Sequence, residues 1–309
     1  MAGTRINSRS RLKRDATIGG TCSFLGFHGL DGTNMSEYQF IDFVAIDSPV
    51  SDQDLEYMTR QSTRAEITKW RFTNEYHFGD FHGNVTEMLR RGYDMHLHFA
   101  DFGIRKIMIR LPLGLPYGKS VFARYAVLDF LTWEKDKRGK GGVLTIEPEA
   151  DAGTFDYLED VESYLDRLVP LREMLIRGDL RPLFLAWLVC SYDEDAIVPP
   201  IPAGLDQLTD PLQALAEFYE IPDKLIATAA ADDLPTPSLV DTNKLVTQWI
   251  AKQKKADLQD IVTEFMSDDP SGVRSRIIAG ITHAQDVPPW PTVDTSLTLG
   301  ELRTRAGLS

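Results

Sequence analysis

The sequence predicts an α+β protein, with strands and helices mixed in the N-terminal half and helices alone in the C-terminal half. Three observations carry this expectation. Strand-length runs rich in aromatic and β-branched residues recur between residues 38 and 147. From residue 151 onward apolar residues recur at helical spacing. Proline and glycine gather at the junctions, as in Val198-Pro-Pro-Ile-Pro202 and Leu234-Pro-Thr-Pro237.

Taken in order, Tyr38–Asp47 is apolar on both faces, as a central strand would be, and Pro49 ends it. Ser51-Asp-Gln-Asp54 is a capping-box variant opening a helix to about Gln61. Ala65–Phe72 alternates as a strand, and Glu75–Phe81 reads as a shorter one broken at Gly79. Asn84 to Asp101 reads as one long helix. Ile107, Ile109 and Leu111 then alternate with Lys106, Met108 and Arg110. This β-α-β-β-α-β order predicts a ferredoxin-like domain. Tyr125–Glu134 and Val143–Glu147 add a β-hairpin around a basic glycine-rich tip, Asp136–Gly142.

Beyond it an all-α helical domain is expected. Val161, Leu165, Leu168 and Leu175 keep helical spacing across Pro170, and Asp179 precedes a helix carrying the apolar run Pro182–Cys190. Asp210-Pro211, Pro222 and Asp269-Pro270 each open a helix, with two more at about 241–253 and 255–266. The expected domains are therefore 35–150 and 151–285. A tail, 286–309, is extended until a short helix near Leu299–Ala306. Its Pro-Pro-Trp-Pro segment either offers a polyproline ligand or packs back on the helices.

Residues 1–34 are basic and then glycine-rich, without the apolar core of a signal peptide. They are expected to be a poorly ordered extension, accounted for either by a transit peptide or by translation beginning at Met35. The chain's net charge of −13 makes broad contact with nucleic acid unfavourable. Two cysteines and no paired-cysteine zinc spacing fit a reducing cytoplasm, and the nine-residue apolar run is too short to span a bilayer, which takes about 20 residues.

The one concentration of chemistry is a histidine-rich stretch. His77, His82, His96 and His98 lie close to Glu75, Asp80, Asp94 and Asp101. If 84–101 is a helix, Val85, Met88, Leu89, His96 and Phe99 share one side and His98 the other, with Leu97 alone misplaced. His96 and His98 then cannot share a metal, because residues two apart on a helix diverge. The best acid–base or metal constellation is Glu75 with His77 on one strand face, met by His96 from the helix. Asp80 and His82 lie on the opposite strand face. A hydrogen-bonded core histidine is the competing reading of His96. No nucleophile elbow, zinc-protease helix or dinucleotide loop occurs. The Lys135–Lys140 tip lacks the phosphate-loop spacing.

Three segments, EYQFIDFVAIDSPV, STRAEI followed by FTNEYHFGDFHG, and LREMLIRGDLRPLFLAWL, resemble a family of uncharacterised bacterial proteins over roughly Met35 to Ile281. The resemblance implies a bacterial cytoplasmic setting and transfers no catalytic residue. The leading expectation is a non-enzymatic interaction or adaptor protein that binds another protein, with no cofactor, no metal and no membrane. Pairing of two copies through a sheet edge is a further expectation. The alternative is a hydrolase or nuclease-like enzyme using Glu75, His77, Asp80 and His96, with or without a divalent metal. Convergence of those four in one pocket would favour the enzyme; placement on different sides of a sheet would remove that site.

Overall fold

The computed structural model describes residues 38–308 apart from 78, 114, 116–118, 137–140, 151–153, 156–157, 231–241, 267–272, 274–276, 279 and 282–288. The N-terminal extension, most of the basic hairpin tip, the Leu234–Pro237 linker and the helix start at Asp269-Pro270 lie outside the described residues. Residues 36–309 form one compact unit.

Its centre is a seven-stranded sheet: β1 (Gln39–Val44), β2 (Glu66–Ile67), β3 (Arg71–Tyr76), β4 (Met95–Ala100), β5 (Ile104–Leu111), β6 (Leu131–Lys135) and β7 (Gly142–Ile146). The order is β2-β3-β1-β4-β5-β7-β6, and every neighbouring pair is antiparallel. Helices and strands are thus mixed as expected, but the ferredoxin-like arrangement needs correction. That arrangement interleaves two split β-α-β units. Here a single unit is split, β3 and β4 straddling β1, because β1 pairs with both of them.

The reason lies in residues 84–101. The chain forms a two-turn helix, α2 (Val85–Arg91), capped by Asn84, whose side chain accepts from Glu87 N at 3.0 Å. Gly92 ends it, where a Cβ would meet Val50 Cγ2 at 3.0 Å, and β4 follows. The single long helix is not formed. Met95, Leu97 and Phe99 face one core while His96 faces the other, so both sides of β4 are buried and polarity no longer marks its period. Leu97, the residue out of place on a helical wheel, is at home on this strand.

The two cores differ. On one face of the sheet Ile41, Phe43, Phe72 and Met108 meet Met58 of α1 (Asp52–Thr59), Met88 and Leu89 of α2, and Tyr93. Ser51 caps α1 by accepting from Asp54 N at 3.1 Å. On the other face Met95, Leu97, Phe99, Ile107 and Ile109 share a continuous core with α4 (Val161–Leu168), α5 (Pro170–Ile176), α6 (Arg181–Cys190) and α7 (Asp210–Phe218). α4, α5 and α6 lie on β1, β5 and β6 respectively. The helices from residue 161 to 229 are therefore a layer on the sheet and not a separate all-α domain.

The hairpin also joins the sheet, but its first strand begins at Leu131 and not at Tyr125, which ends a helix, α3 (Lys119–Tyr125). Gly141, at φ +109°, permits the approach to β5, since a Cβ there would lie 2.0 Å from Leu111 O. α8 (Asp223–Ala229) completes the helical layer, and two further helices follow, α9 (Thr242–Lys252) and α10 (Lys255–Phe265). The tail packs back. Trp290 Nε1 donates to Ala203 O at 3.0 Å, a short ladder joins β8 (Ile201–Pro202) to β9 (Thr292–Val293), and Leu299 and Leu302 of α11 (Leu299–Arg305) enter the core.

Candidate functional site

The sheet separates the four residues expected to act together. Glu75 pairs with Phe40 across β1 and β3 and is exposed on the side of the helical layer. There it borders an open concavity of about 600 Å³ with Arg64, Glu66, Arg71 and Glu162. His77, just past β3, is exposed with its ring 5.6 Å from Tyr38, which itself lies near Phe99 on that same side. His96 is fully buried on the opposite side, stacked on Phe43 at 4.1 Å. Asp80 is exposed and accepts from Gln39 Nε2 at 3.0 Å. The Glu75–His77–His96 constellation does not form.

What does form is a polar ladder that the helical reading of 84–101 had excluded. His96 and His98 lie two apart on a strand, so they share a face, with ring centroids 6.3 Å apart. His96 Nδ1 lies 3.0 Å from Asp42 O, so it carries the proton and donates, leaving Nε2 as a bare buried acceptor. His98 Nε2 donates to Gln39 Oε1 at 3.0 Å, and Gln39 in turn donates to Asp80 and, at 3.2 Å, to Gly79 O. Burial holds the His96 pKa well below its ordinary value. Burial, helped by Lys106 and opposed by Asp80, lowers that of His98 to about 4. Both rings are therefore neutral at pH 7, and an amide stands between His98 and the nearest carboxylate. A buried, hydrogen-bonded imidazole of this kind orders a core. Among the described residues no three or more His, Cys, Asp or Glu side chains are grouped to hold a metal ion.

Two buried ionic networks lay beyond sequence reasoning. Arg71 donates to both Asp42 oxygens, at 3.0 and 2.6 Å, and reaches Asp166 of α4 at 3.0 Å. Burial raises Asp42 to about 6 against the opposing hydrogen bonds of Arg71. Asp94, fully buried, accepts from the Ile46 and Asp47 backbone and from Arg110 at 2.8 Å, and Arg172 of α5 bridges it to Asp47. The two arginines hold the Asp94 carboxyl below its ordinary value despite burial. These groups fasten the helical layer to the sheet. The only forewarning in the sequence is an aspartate inside an apolar strand, since a buried charge must find a partner.

A cavity of about 780 Å³ opens between the end of α6, the α7–α8 turn and α11. Its walls are mainly apolar. Its carboxylates, Glu194 and Glu220, are already matched by Arg303 and Arg105.

The helix pair α9 and α10 is different in kind. Leu258, Ile261, Val262 and Phe265 follow the i, i+3, i+4, i+7 rule of a helix meant to be covered, and Leu245, Val246, Trp249 and Ile250 form a stripe on α9. Yet none of the residues 244–266 is buried. Ile250 is 46% exposed, Phe265 56%, Val262 61% and Met266 77%. No other element among the described residues packs extensively on either helix. The apolar stripes of these two helices are thus only partly covered by the rest of the chain. No helix among the described residues is long and apolar enough to cross a membrane. Comparisons with protein-family models, with curated proteins and with solved structures returned no match to this chain, so its function is read from these residues alone.

Proposed function

We propose that the chain is a non-enzymatic protein-interaction or adaptor protein, whose sheet-and-helix body carries the α9–α10 face as its docking element. One observation carries this reading: two helices with core-type apolar stripes and no buried residue among 244–266. Large apolar side chains at helical spacing are retained in water at a cost in solubility unless something covers them. The alternative, a hydrolase or nuclease-like enzyme, loses its support because Glu75 and His77 lie across the sheet from His96. The proposal sets the chain in a bacterial cytoplasm, as a member of the family its sequence resembles.

The test is the size of the native complex in extracts of cells that make the full-length protein. Val262→Glu with Phe265→Glu alters only exposed side chains, so the fold should survive, as circular dichroism would check. The wild type is expected to migrate well above its own 34.8 kDa, and the double variant to fall back to the bare chain. A wild type that migrates alone, or a complex unaffected by the substitutions, would remove the reading.

A further inference from the structure

We propose that Leu128, Phe130 and Tyr192 form a second docking face, and that its occupant is a basic segment of another protein carrying a large apolar side chain among its cations. The inference goes beyond the reading above and does not rest on it, since this face is built from other elements. It gives an adaptor a second contact.

Three stretches far apart in the chain build the face. Val127 and Leu131 exchange backbone hydrogen bonds of 3.1 and 2.9 Å, closing a tight turn that carries Leu128. Asp129 in this turn holds φ +69°, a left-handed conformation that few residues besides glycine, asparagine and aspartate accept. Leu128 is 84% exposed, so the turn holds an apolar group out in water. Two residues on, the Phe130 ring packs edge-on against Tyr192, just past the end of α6, at 5.6 Å, and Tyr192 is still 44% exposed. The Tyr192 hydroxyl donates to Glu149 O at 2.6 Å, which ties the ring to the segment after β7. The apolar groups are thus held in place before a partner arrives, and that lowers the entropy cost of binding.

Charge selects the occupant. Residues 127–131, 147–149 and 191–195 carry six carboxylates and no cation. Lys106 matches Glu147, and Arg303 matches Glu194. Asp129, Glu149, Asp193 and Asp195 are exposed and make no ion pair among the described residues. Unmatched negative charge around an apolar centre suits a cationic partner. Phosphate backbones and anionic lipid surfaces carry the wrong sign. A second copy meeting this face across a two-fold axis would set the same four carboxylates against each other. A cationic protein segment fits, and an apolar side chain within it would cover the exposed leucine and tyrosine.

The footprint is small, so dissociation in the micromolar range is expected. The experiment titrates the purified full-length protein into a fluorescent peptide in which a leucine–phenylalanine pair is flanked by lysines and arginines. The peptide should bind in low salt, and about tenfold or more weakly near 0.5 M salt, where exposed charges are screened. Alanines in place of its apolar pair, or glutamates in place of its cations, should each weaken it about tenfold or more. In the protein, Leu128→Ser with Tyr192→Ser should have a similar effect. So should Asp129→Asn, Glu149→Gln, Asp193→Asn and Asp195→Asn together. That amide set preserves shape and keeps at position 129 a residue that accepts the left-handed conformation, so the fold should survive.

Val262→Glu with Phe265→Glu should bind the peptide as tightly as wild type, which separates this test from the one on α9–α10. No binding in low salt would overturn the proposal. So would binding that survives either set of substitutions, because that is only a general attraction of cations to an acidic chain. A loss in the α9–α10 variant would overturn it as well, by placing the peptide there.

Discussion

α6 and α10 are helices of nearly equal length, ten and eleven residues, and both carry leucine, valine and aromatic side chains. α6 is apolar all round and buries Leu183, Phe184, Leu185 and Leu188 between the sheet and α7. α10 is amphipathic, with acids on one side and a stripe of Leu258, Ile261, Val262 and Phe265 on the other, and it buries nothing. The difference teaches that pattern and burial are separate facts. An all-round apolar helix has to lie inside, whereas a striped helix needs only one covered side, and that cover can come from another molecule. Stability should therefore sit in the sheet and α4 to α7, and association in α9 and α10. Each prediction below tests that division.

The largest effect is expected at the joint between the sheet and the helical layer. Asp94→Ala leaves Arg110 and Arg172 facing each other without the carboxylate that both bind. Removing one partner of a buried ionic network costs about 3–5 kcal/mol. Chemical denaturation should show that loss, and a shift under about 1 kcal/mol would mean the network is not what fastens α5 to β5. Leu185→Ala in α6 should follow closely, since deleting a buried leucine side chain costs about 2–5 kcal/mol with the cavity left behind.

The histidine ladder makes the body sensitive to acid. In the unfolded chain His98 takes a proton near its ordinary pKa of about 6.5; in the folded chain it resists until about pH 4. A depressed histidine contributes stability that is full above pH 6.5 and drains away as pH falls through that window, on the order of 3 kcal/mol if the whole shift is realised. His96, lowered further by burial, acts in the same sense. Asp42 runs the other way between its ordinary value and about 6, because its folded form holds the proton more tightly. The sum still falls toward acid, as two imidazoles oppose one carboxyl. Denaturation midpoints at pH 7.5 and pH 5 should show the drop, and His98→Gln should make it shallower. An unchanged slope in that variant would sever the ladder from the acid sensitivity.

How far the sequence foretold this molecule depends on how local each signal is. β1, the Ser51 cap and both helices of the α9–α10 pair were readable, because apolar period, capping residues and a lysine-rich break are local features. The α9 and α10 bounds fell within two residues of expectation. β4 was not readable. Both its faces are buried, and a run preceded by a true helix imitates a longer one, so His96 and His98 were assigned to opposite sides when they share one. The partners of Asp94 and Asp47 were invisible for another reason: Asp47 and Arg172 lie 125 residues apart, and a single sequence carries no record of which distant charges meet. The expected site failed on both counts, since Glu75, His77 and Asp80 could be placed only relative to a β4 whose existence was missed.

The smallest stability effect should come from the residues that matter most for association. Val262→Ala and Phe265→Ala remove apolar atoms that water already reaches over more than half of each side chain. Surface truncations of this kind move stability by no more than about 0.5 kcal/mol in either direction. The same two changes should nonetheless weaken the complex, because interface aromatics often account for more than 1 kcal/mol of binding when truncated. Melting curves and sedimentation on one pair of samples would separate the effects. A large melting shift for Phe265→Ala would mean that α10 is covered from within the chain. No change in either measurement would leave its apolar stripe without a role, and the contrast between α6 and α10 would reduce to one between a buried helix and an idle one.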